Sequence, residues 1–494
     1  MSLIDINSIN APGTYVSEKT TGLIPTELAS HDRCYILGTS SSGSYATPTQ
    51  IISLDDANNL FGSLSTVTNN SVKLFFRNYM YGVMYFTRVP IGKTYTVTLT
   101  DQGHAADVIT VSIGGVNFTY TIPTSPTIDG VLTGLVTAIN ATGSAIKSLV
   151  IAENLNTTND SFTLRLLDPT TNPTVDVTGS GFVHISETAD TNLIASKYDY
   201  LWTIENAFDP DDHKPGFIIC PEAFATLLQA NRLIVAASLE AKASQDGFDW
   251  VTLVDSGYDV DSVSEVKTEA NLITSARGHT AYYFPYLKDF EGAWVPPSAA
   301  IAAIACARYA AEGFREPPAG ATYPLTGITD VYFKVKRQHQ EELNPLGINC
   351  IRYLPGQGIL AYGARTKSAS AYYRFLNVRV TLNVLINTLS HAFDSVIFSA
   401  VDGQGVLFAR IRETCNAICF RMWQAGALFG ASPSEAFYVR CDTTNNPALD
   451  LEAGIVRADM YVVPSPTLER LLISVNRTAI GQVSAVIAAS SATA

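Results

Sequence analysis

Positive charge is scarce in this chain. Its 494 residues hold 32 Lys and Arg against 45 Asp and Glu, a formal net charge of −13. A nucleic-acid coat needs a cationic face to neutralise phosphates, so the balance argues against that class. Long apolar runs are missing too. The longest, Ala299 to Ala307, stops at Arg308, short of the roughly twenty residues that span a bilayer as a helix. The opening Met1-Ser-Leu-Ile-Asp-Ile-Asn carries an acid at Asp5 and no basic start, so no secretory signal is expected. Paired cysteines are absent as well. Cys34, Cys220, Cys306, Cys350, Cys415, Cys419 and Cys441 are odd in number and form no C-x-x-C. That pattern predicts reduced, mostly buried thiols in a protein assembled in a reducing cytosol. Cys415 and Cys419 share a helix face, but zinc needs about four ligands, and the nearest histidine, His391, is 24 residues from Cys415. No metal site is expected.

Catalytic signatures are as sparse. Gly92-Lys-Thr94 resembles the end of a phosphate-binding loop, yet Thr87 stands where its leading glycine belongs, and a strand rather than a helix follows. Gly356-Gln-Gly358 is followed by Gly363 where a dinucleotide fingerprint needs glycine at 361, so a tight turn before a strand is the reading. No G-x-S-x-G and no H-E-x-x-H occurs. Asp209, Asp211, Asp212 and His213 form the one polar cluster able to hold a metal; Pro210 and Pro215 frame it as a surface loop. No catalytic residue and no cofactor are assigned.

What is present is enough apolar residue, 47% of the chain, to bury several cores. Cys34-Tyr-Ile-Leu-Gly38 and Val83 to Val89 read as strands, and Asp55 and Asp56 as a helix start. Residues 91–200 hold 21 threonines and only 14 charged residues. Alternation in Tyr95–Thr100 and Val108–Ile113 marks half-exposed strands; Gly114-Gly115 marks a hairpin, and 129–140 a helix. This stretch reads as a β-rich insert. From 200 onward strands and helices alternate: strand 217–220, helix 223–244, strand 250–254, helix 261–277, strand 281–284, helix 298–312. That order favours a parallel sheet with helices packed on it. Helix 405–429 has an apolar stripe of Leu407, Phe408, Ile411, Cys415, Ile418, Cys419, Met422 and Trp423. Residues 470–475 read as a strand. Residues 301–421 carry thirteen Lys/Arg and eight acids, net +5, which leaves −18 on the rest. One cationic face meeting an acidic partner would account for it.

The C-terminal 200 residues resemble the contractile tail sheath proteins of bacteriophages and related injection machines. The similarity lies in Gly292-Ala-Trp-Val-Pro-Pro-Ser298, Leu343-Asn-Pro-Leu-Gly-Ile-Asn349, Gly356-Gln-Gly358, Gly363-Ala-Arg-Thr366, Tyr373-Arg-Phe-Leu-Asn-Val-Arg379, Trp423–Gly430 and Ala436–Asp442, in order. Near the start, Pro12-Gly-Thr-Tyr-Val-Ser-Glu18, Leu37-Gly-Thr39, Phe61-Gly62 and Phe75-Phe-Arg-Asn78 also hold the family order. Thr14 and Val380 depart from it.

The resemblance implies a multi-domain α/β (α+β) protein, with a mixed core built from N- and C-terminal segments. It divides the chain into an extended arm (1–20), the N-terminal part of the core (21–90), a β-rich protrusion (91–199), an α/β part of the core (200–290), a C-terminal sheath domain (291–477) and a second arm (478–494). It implies a non-enzymatic subunit that polymerises in six-fold rings around an inner tail tube and contracts to drive the tube through a cell envelope. Partners would be further copies of the chain, the tube protein, and baseplate and terminator proteins. No direct nucleic-acid contact and no membrane span are expected, and the implied location is a virion tail assembled in the host cytoplasm. A non-phage injection system is the alternative within the family. An α/β hydrolase and a glycan-binding surface protein are the alternatives outside it. Contacts that survive a large subunit motion suit strands on linkers. Residues 13–20, with Thr14, Tyr15, Val16 and Ser17, can form one such strand, and residues 478–488, with Ala479, Ile480, Val483 and Val486, the other. Arg410, Arg412 and Arg421 are the candidate tube-facing residues.

Overall fold

A computed structural model describes residues 27–179, 181–188, 195–209, 212–245, 247 and 249–473. Both proposed arm strands, at 13–20 and 478–488, lie outside the described residues.

An eight-stranded sheet forms the middle of the molecule. Its order is Gly358–Ala361, Ile348–Leu354, Thr280–Phe284, Val251–Asp255, Phe217–Ile219, Arg33–Gly38, Val83–Arg88, Thr49–Ile51. The inner pairings are parallel, and each edge is closed by an antiparallel strand. Strands buried on both faces are largely apolar, and Thr280–Phe284 and Val251–Asp255 are buried at every position. Helices cover both faces. On one, Leu54–Phe61, Thr66–Asn78, Ser298–Glu312 and Leu376–Phe393 bury Phe61, Phe75, Ile301 and Val380. On the other, Lys197–Ala207, Pro221–Thr226, Gln229–Ala243 and Val263–Asn271 bury Tyr200, Phe224, Leu239 and Val266. Segments on both sides of the threonine-rich stretch therefore build one sheet. In Ser298–Glu312, alanines at 299, 300, 302, 303 and 305 are fully buried and let its backbone approach the sheet closely.

The threonine-rich stretch forms its own apolar cluster, whose buried members all lie between Tyr95 and Val183. A four-stranded antiparallel sheet (Val183–Thr188, Thr94–Leu99, Ser161–Leu166, Val150–Asn156) and a three-stranded one (Val116–Thr121, Val108–Ile113, Val175–Thr178) enclose it with helix Ile128–Ile139. Gly114 and Gly115 sit at φ 55° and 86° between paired Ile113 and Val116. Both central residues of this two-residue hairpin turn must be left-handed, which glycine tolerates. Its linkers meet at one point: the Gly92 amide donates to Asp199 Oδ1 at 2.9 Å, and Arg165 Nη1 lies 3.4 Å from Asp199 Oδ2.

Four sequence expectations need correction. Helix 223–244 is two helices, broken where Leu227 and Leu228 are extended; the Leu227 carbonyl accepts from Arg232 Nη1 instead. Helix 261–277 is shorter, Val263–Asn271, capped by the Ser262 hydroxyl. Helix 405–429 runs Val406–Gln424, because Gly426 turns left-handed at φ 75° and the Ala427 amide returns to the Met422 carbonyl. Arg470–Ile473, the described part of the expected 470–475 strand, pairs with no strand among the described residues.

Candidate functional site

In an open parallel sheet, a ligand crevice lies beyond the carboxyl ends of the strands where the strand order reverses. Here that point falls between Arg33–Gly38 and Phe217–Ile219. The chain fills it with its own groups. Glu222 is buried and its carboxylate accepts from the Thr39 amide at 2.8 Å and from the hydroxyls of Thr39, Ser65 and Thr68 at 2.7, 2.8 and 2.6 Å. Thr68 also occupies the space that a Cβ on Gly38 would need. A carboxylate with four donors is fully engaged by the chain's own groups. The neighbouring Asp255 is likewise spent, accepting from the Ser298 amide at 2.7 Å and hydroxyl at 2.6 Å. Burial pushes its pKa up to about 7, against the pull of those two bonds. No group of three ligating side chains occurs among the described residues; Asp211, in the polar loop at 209–213, lies outside them. All seven thiols are free and buried. Among the described residues no helix is long and apolar enough to cross a membrane.

Helices Leu376–Phe393 and Val406–Gln424 meet over a small cluster of Leu385, Ile418, Cys419, Met422, Leu428 and Ala436. Arg410 and Arg421, eleven residues or about three turns apart, share an exposed face of the second helix. Arg412 does not join them. Its Nη1 lies 3.5 Å from the Cys441 carbonyl and its Nε 3.8 Å from Glu413. The adjoining two-stranded sheet, Phe437–Arg440 with Asp459–Val462, has no third strand among the described residues. Tyr438 and Tyr461 stack across it and stand exposed.

Three of the segments behind the family resemblance, 343–349, 363–366 and 373–379, form one joint. Asn349, buried on its strand, clasps Arg365: its Nδ2 donates to the Arg365 carbonyl and its Oδ1 accepts the Arg365 amide, both at 2.7 Å. Gly347 lies against Thr366, and Gly363 against Asn349, where a Cβ would crowd its partner. Asn377 Nδ2 donates to the carbonyls of Arg315 and Ser465, each at 3.0 Å. The partner that sequence reasoning missed is Glu469. Its Oε1 accepts from Arg365 Nε at 2.7 Å, and its Oε2 from Arg365 Nη2. The separation of 104 residues gave no local signal.

No family profile matches the chain. The tail sheath protein of Vibrio phage KVP40 is 26% identical over 196 residues, 39% of this chain; the match spans 27% of that relative's length. Among solved structures, the helical sheath of the anti-feeding prophage in its contracted state superposes with a TM-score of 0.58 at 17% identity, covering 95% of this chain and 100% of that one. A sheath complex of an extracellular contractile injection system, also contracted, gives 0.53 at 17% identity, with 95% and 98% covered. Across nearly all of its length, the chain has the fold of the contractile tail sheath proteins.

Proposed function

We propose that this chain is a structural, non-enzymatic subunit of a contractile tail sheath. It stacks as six-fold rings around an inner tube and shortens to drive that tube through a cell envelope. The observation that carries the reading is the shared fold over 95% of the chain with a contracted helical sheath. The filled switch-point crevice supports it, because the hydrolase alternative would need that space. Partners are further copies, the tube protein, and baseplate and terminator proteins; the setting is a virion tail or a related particle assembled in the host cytoplasm. The rigid three-layer body suits a subunit that moves as a unit between two packings. The threonine-rich stretch, 91–199, is the outward protrusion. The exposed face with Arg410 and Arg421 is placed toward the tube.

The two termini, at 13–20 and 478–488, join neighbouring copies by strand addition. Leu471, Leu472 and Ile473, which lead into the C-terminal arm, are 73%, 92% and 72% exposed. A run this apolar and unpaired is an aggregation hazard unless a neighbour covers it. The unextended sheet of Phe437–Arg440 and Asp459–Val462 is a receptor of the right kind, since a two-stranded sheet alone is marginal. Truncation after Asn476 tests the arm. The expected product is a folded monomer with unchanged circular dichroism that no longer forms hollow tubes by electron microscopy; normal tubes would overturn the arm assignment.

A further inference from the structure

The two ends of the described chain converge on one helix, Leu376–Phe393. At the N-terminal root, the Ala29 amide donates to Thr388 Oγ1 at 2.9 Å, and Leu28 packs against both the main core and the C-terminal cluster. At the C-terminal root, Thr467 Oγ1 donates to Asn377 Oδ1 at 2.7 Å, and Ser465 is tied through its amide and hydroxyl to the carbonyls of Ala427 and Gly426, each at 2.9 Å. The two anchor residues, Asn377 and Thr388, are both buried. Eleven residues of helix place them about 16 Å apart on one rigid rod.

The C-terminal root is a strap rather than a packed element. Residues 465–469 line a cavity of about 580 Å³ together with Arg308, Gln340, Asn344 and Tyr362. The strap's leucine, Leu468, is 75% exposed, so the polar ties do most of the holding. The last of them is Glu469. Its carboxylate takes a two-pronged grip from Arg365, whose Nη1 also donates to the Asn344 carbonyl at 3.1 Å. Arg365 in turn is clasped to the central sheet through Asn349. Planar two-point pairing of this kind fixes direction as well as position. Burial would raise the Glu469 pKa, but the bonds and charge of Arg365, joined by a bond with the Asn344 side chain and the charge of Arg470, outweigh it and hold the carboxyl below its ordinary value.

We propose that Glu469 and Arg365 form a latch that fixes where the C-terminal tail leaves the body, and so pre-aims that tail for its neighbour. Thr467 and Asn377 tie the same strap to the helix that also holds the N-terminal root. This rests on the reading above that the tails join copies of the chain. A pre-aimed tail loses less freedom on docking and binds more tightly for the same contacts.

Arg470 follows the latch directly and supplies the readout. Trypsin needs several residues around its cleavage site to be locally free, so cleavage after Arg470 reports release of the strap. In the full-length, unassembled chain, Glu469→Ala should speed that cleavage about tenfold, as expected for loss of one charged pairing, with circular dichroism unchanged. Thr467→Val, a milder change, should speed it several-fold. Thr388→Val should instead speed hydrogen exchange at residues 27–32 and leave cleavage after Arg470 alone. In polymerisation, Glu469→Ala should raise the critical concentration about tenfold. Wild-type rates of cleavage in both strap variants would overturn the latch, whatever the chain assembles into. Faster cleavage with an unchanged critical concentration would overturn the pre-aiming. Failure of the wild type itself to polymerise would strike the sheath reading and leave the cleavage result to judge the latch.

Discussion

His279 is fully buried at the start of the strand Thr280–Phe284, where its Nδ1 lies 2.7 Å from the Trp250 carbonyl. That contact makes Nδ1 the protonated nitrogen and leaves Nε2 a buried acceptor without a donor among the described residues. Burial, the nearby Arg379 and, more weakly, Arg277 lower its pKa from 6.5 to about 4, against the stabilising Trp250 carbonyl. His31, packed edge-on against Phe217, is lowered to about 3 by burial, Arg379 and His279. A base with a depressed native pKa stays neutral while the unfolded chain takes up its proton. Its contribution is complete above pH 6.5 and is lost as pH falls toward the native value. At about 1.4 kcal/mol per unit, each histidine costs about 2 kcal/mol between pH 7.5 and 5. Asp255 acts in the opposite sense. Its native pKa of about 7 means that it takes up a proton on the way down and gains stability. The raw pH dependence of the protein therefore mixes the two, and a difference is the informative quantity. His279→Asn keeps a side-chain donor for the Trp250 carbonyl and removes the titrating group. Urea unfolding of wild type and variant at pH 7.5 and 5.0 should show the variant losing about 2 kcal/mol less on acidification. Parallel losses, equal to within about 0.5 kcal/mol, would refute a buried neutral imidazole at this position.

Two further predictions concern assembly. Deleting 94–195 should leave a soluble core that still forms tubes, because the linkers already meet at Gly92 and Asp199, and the excised apolar cluster is self-contained; loss of all soluble protein would refute that boundary. Charge reversal at Arg410 and Arg421 together should leave self-assembly intact, while assembly templated on tubes weakens and becomes less salt-sensitive. Unchanged templating, measured as sheath length on added tubes, would move the tube-facing surface elsewhere.

Much of the layered core was legible in the sequence because it rests on short-range patterns. Helix Ser298–Glu312 has the bounds that its alanine-rich run and flanking Pro297 and Gly313 suggest. The buried strands at 217, 251 and 280 stand out as brief apolar runs, and Gly114-Gly115 announces its hairpin. The break at Leu227 and Leu228 was hidden, since two leucines inside a helical pattern carry no stop signal. The end at Gly426 was visible in principle: a glycine after the last polar turn is the ordinary C-terminal cap. The candidate joint was half legible. Its motif residues, Asn349, Arg365 and Asn377, stand in recognisable segments, but what they hold does not. Glu469 lies in an irregular strap, with no periodicity to place it. Arg412 takes a different helix face from Arg410, which composition could not show, because it counts charges without saying which face they take. Near 200° of helical turn separates it from Arg410.

The most direct test of the central claim is a helical cryo-EM reconstruction of the purified full-length chain assembled with its tube. The sheath account predicts six subunits per ring around an occupied lumen, with residues 13–20 and 478–488 of each subunit paired as strands on neighbouring copies. A chain that stays monomeric, or that forms discrete particles with no lumen, would contradict it.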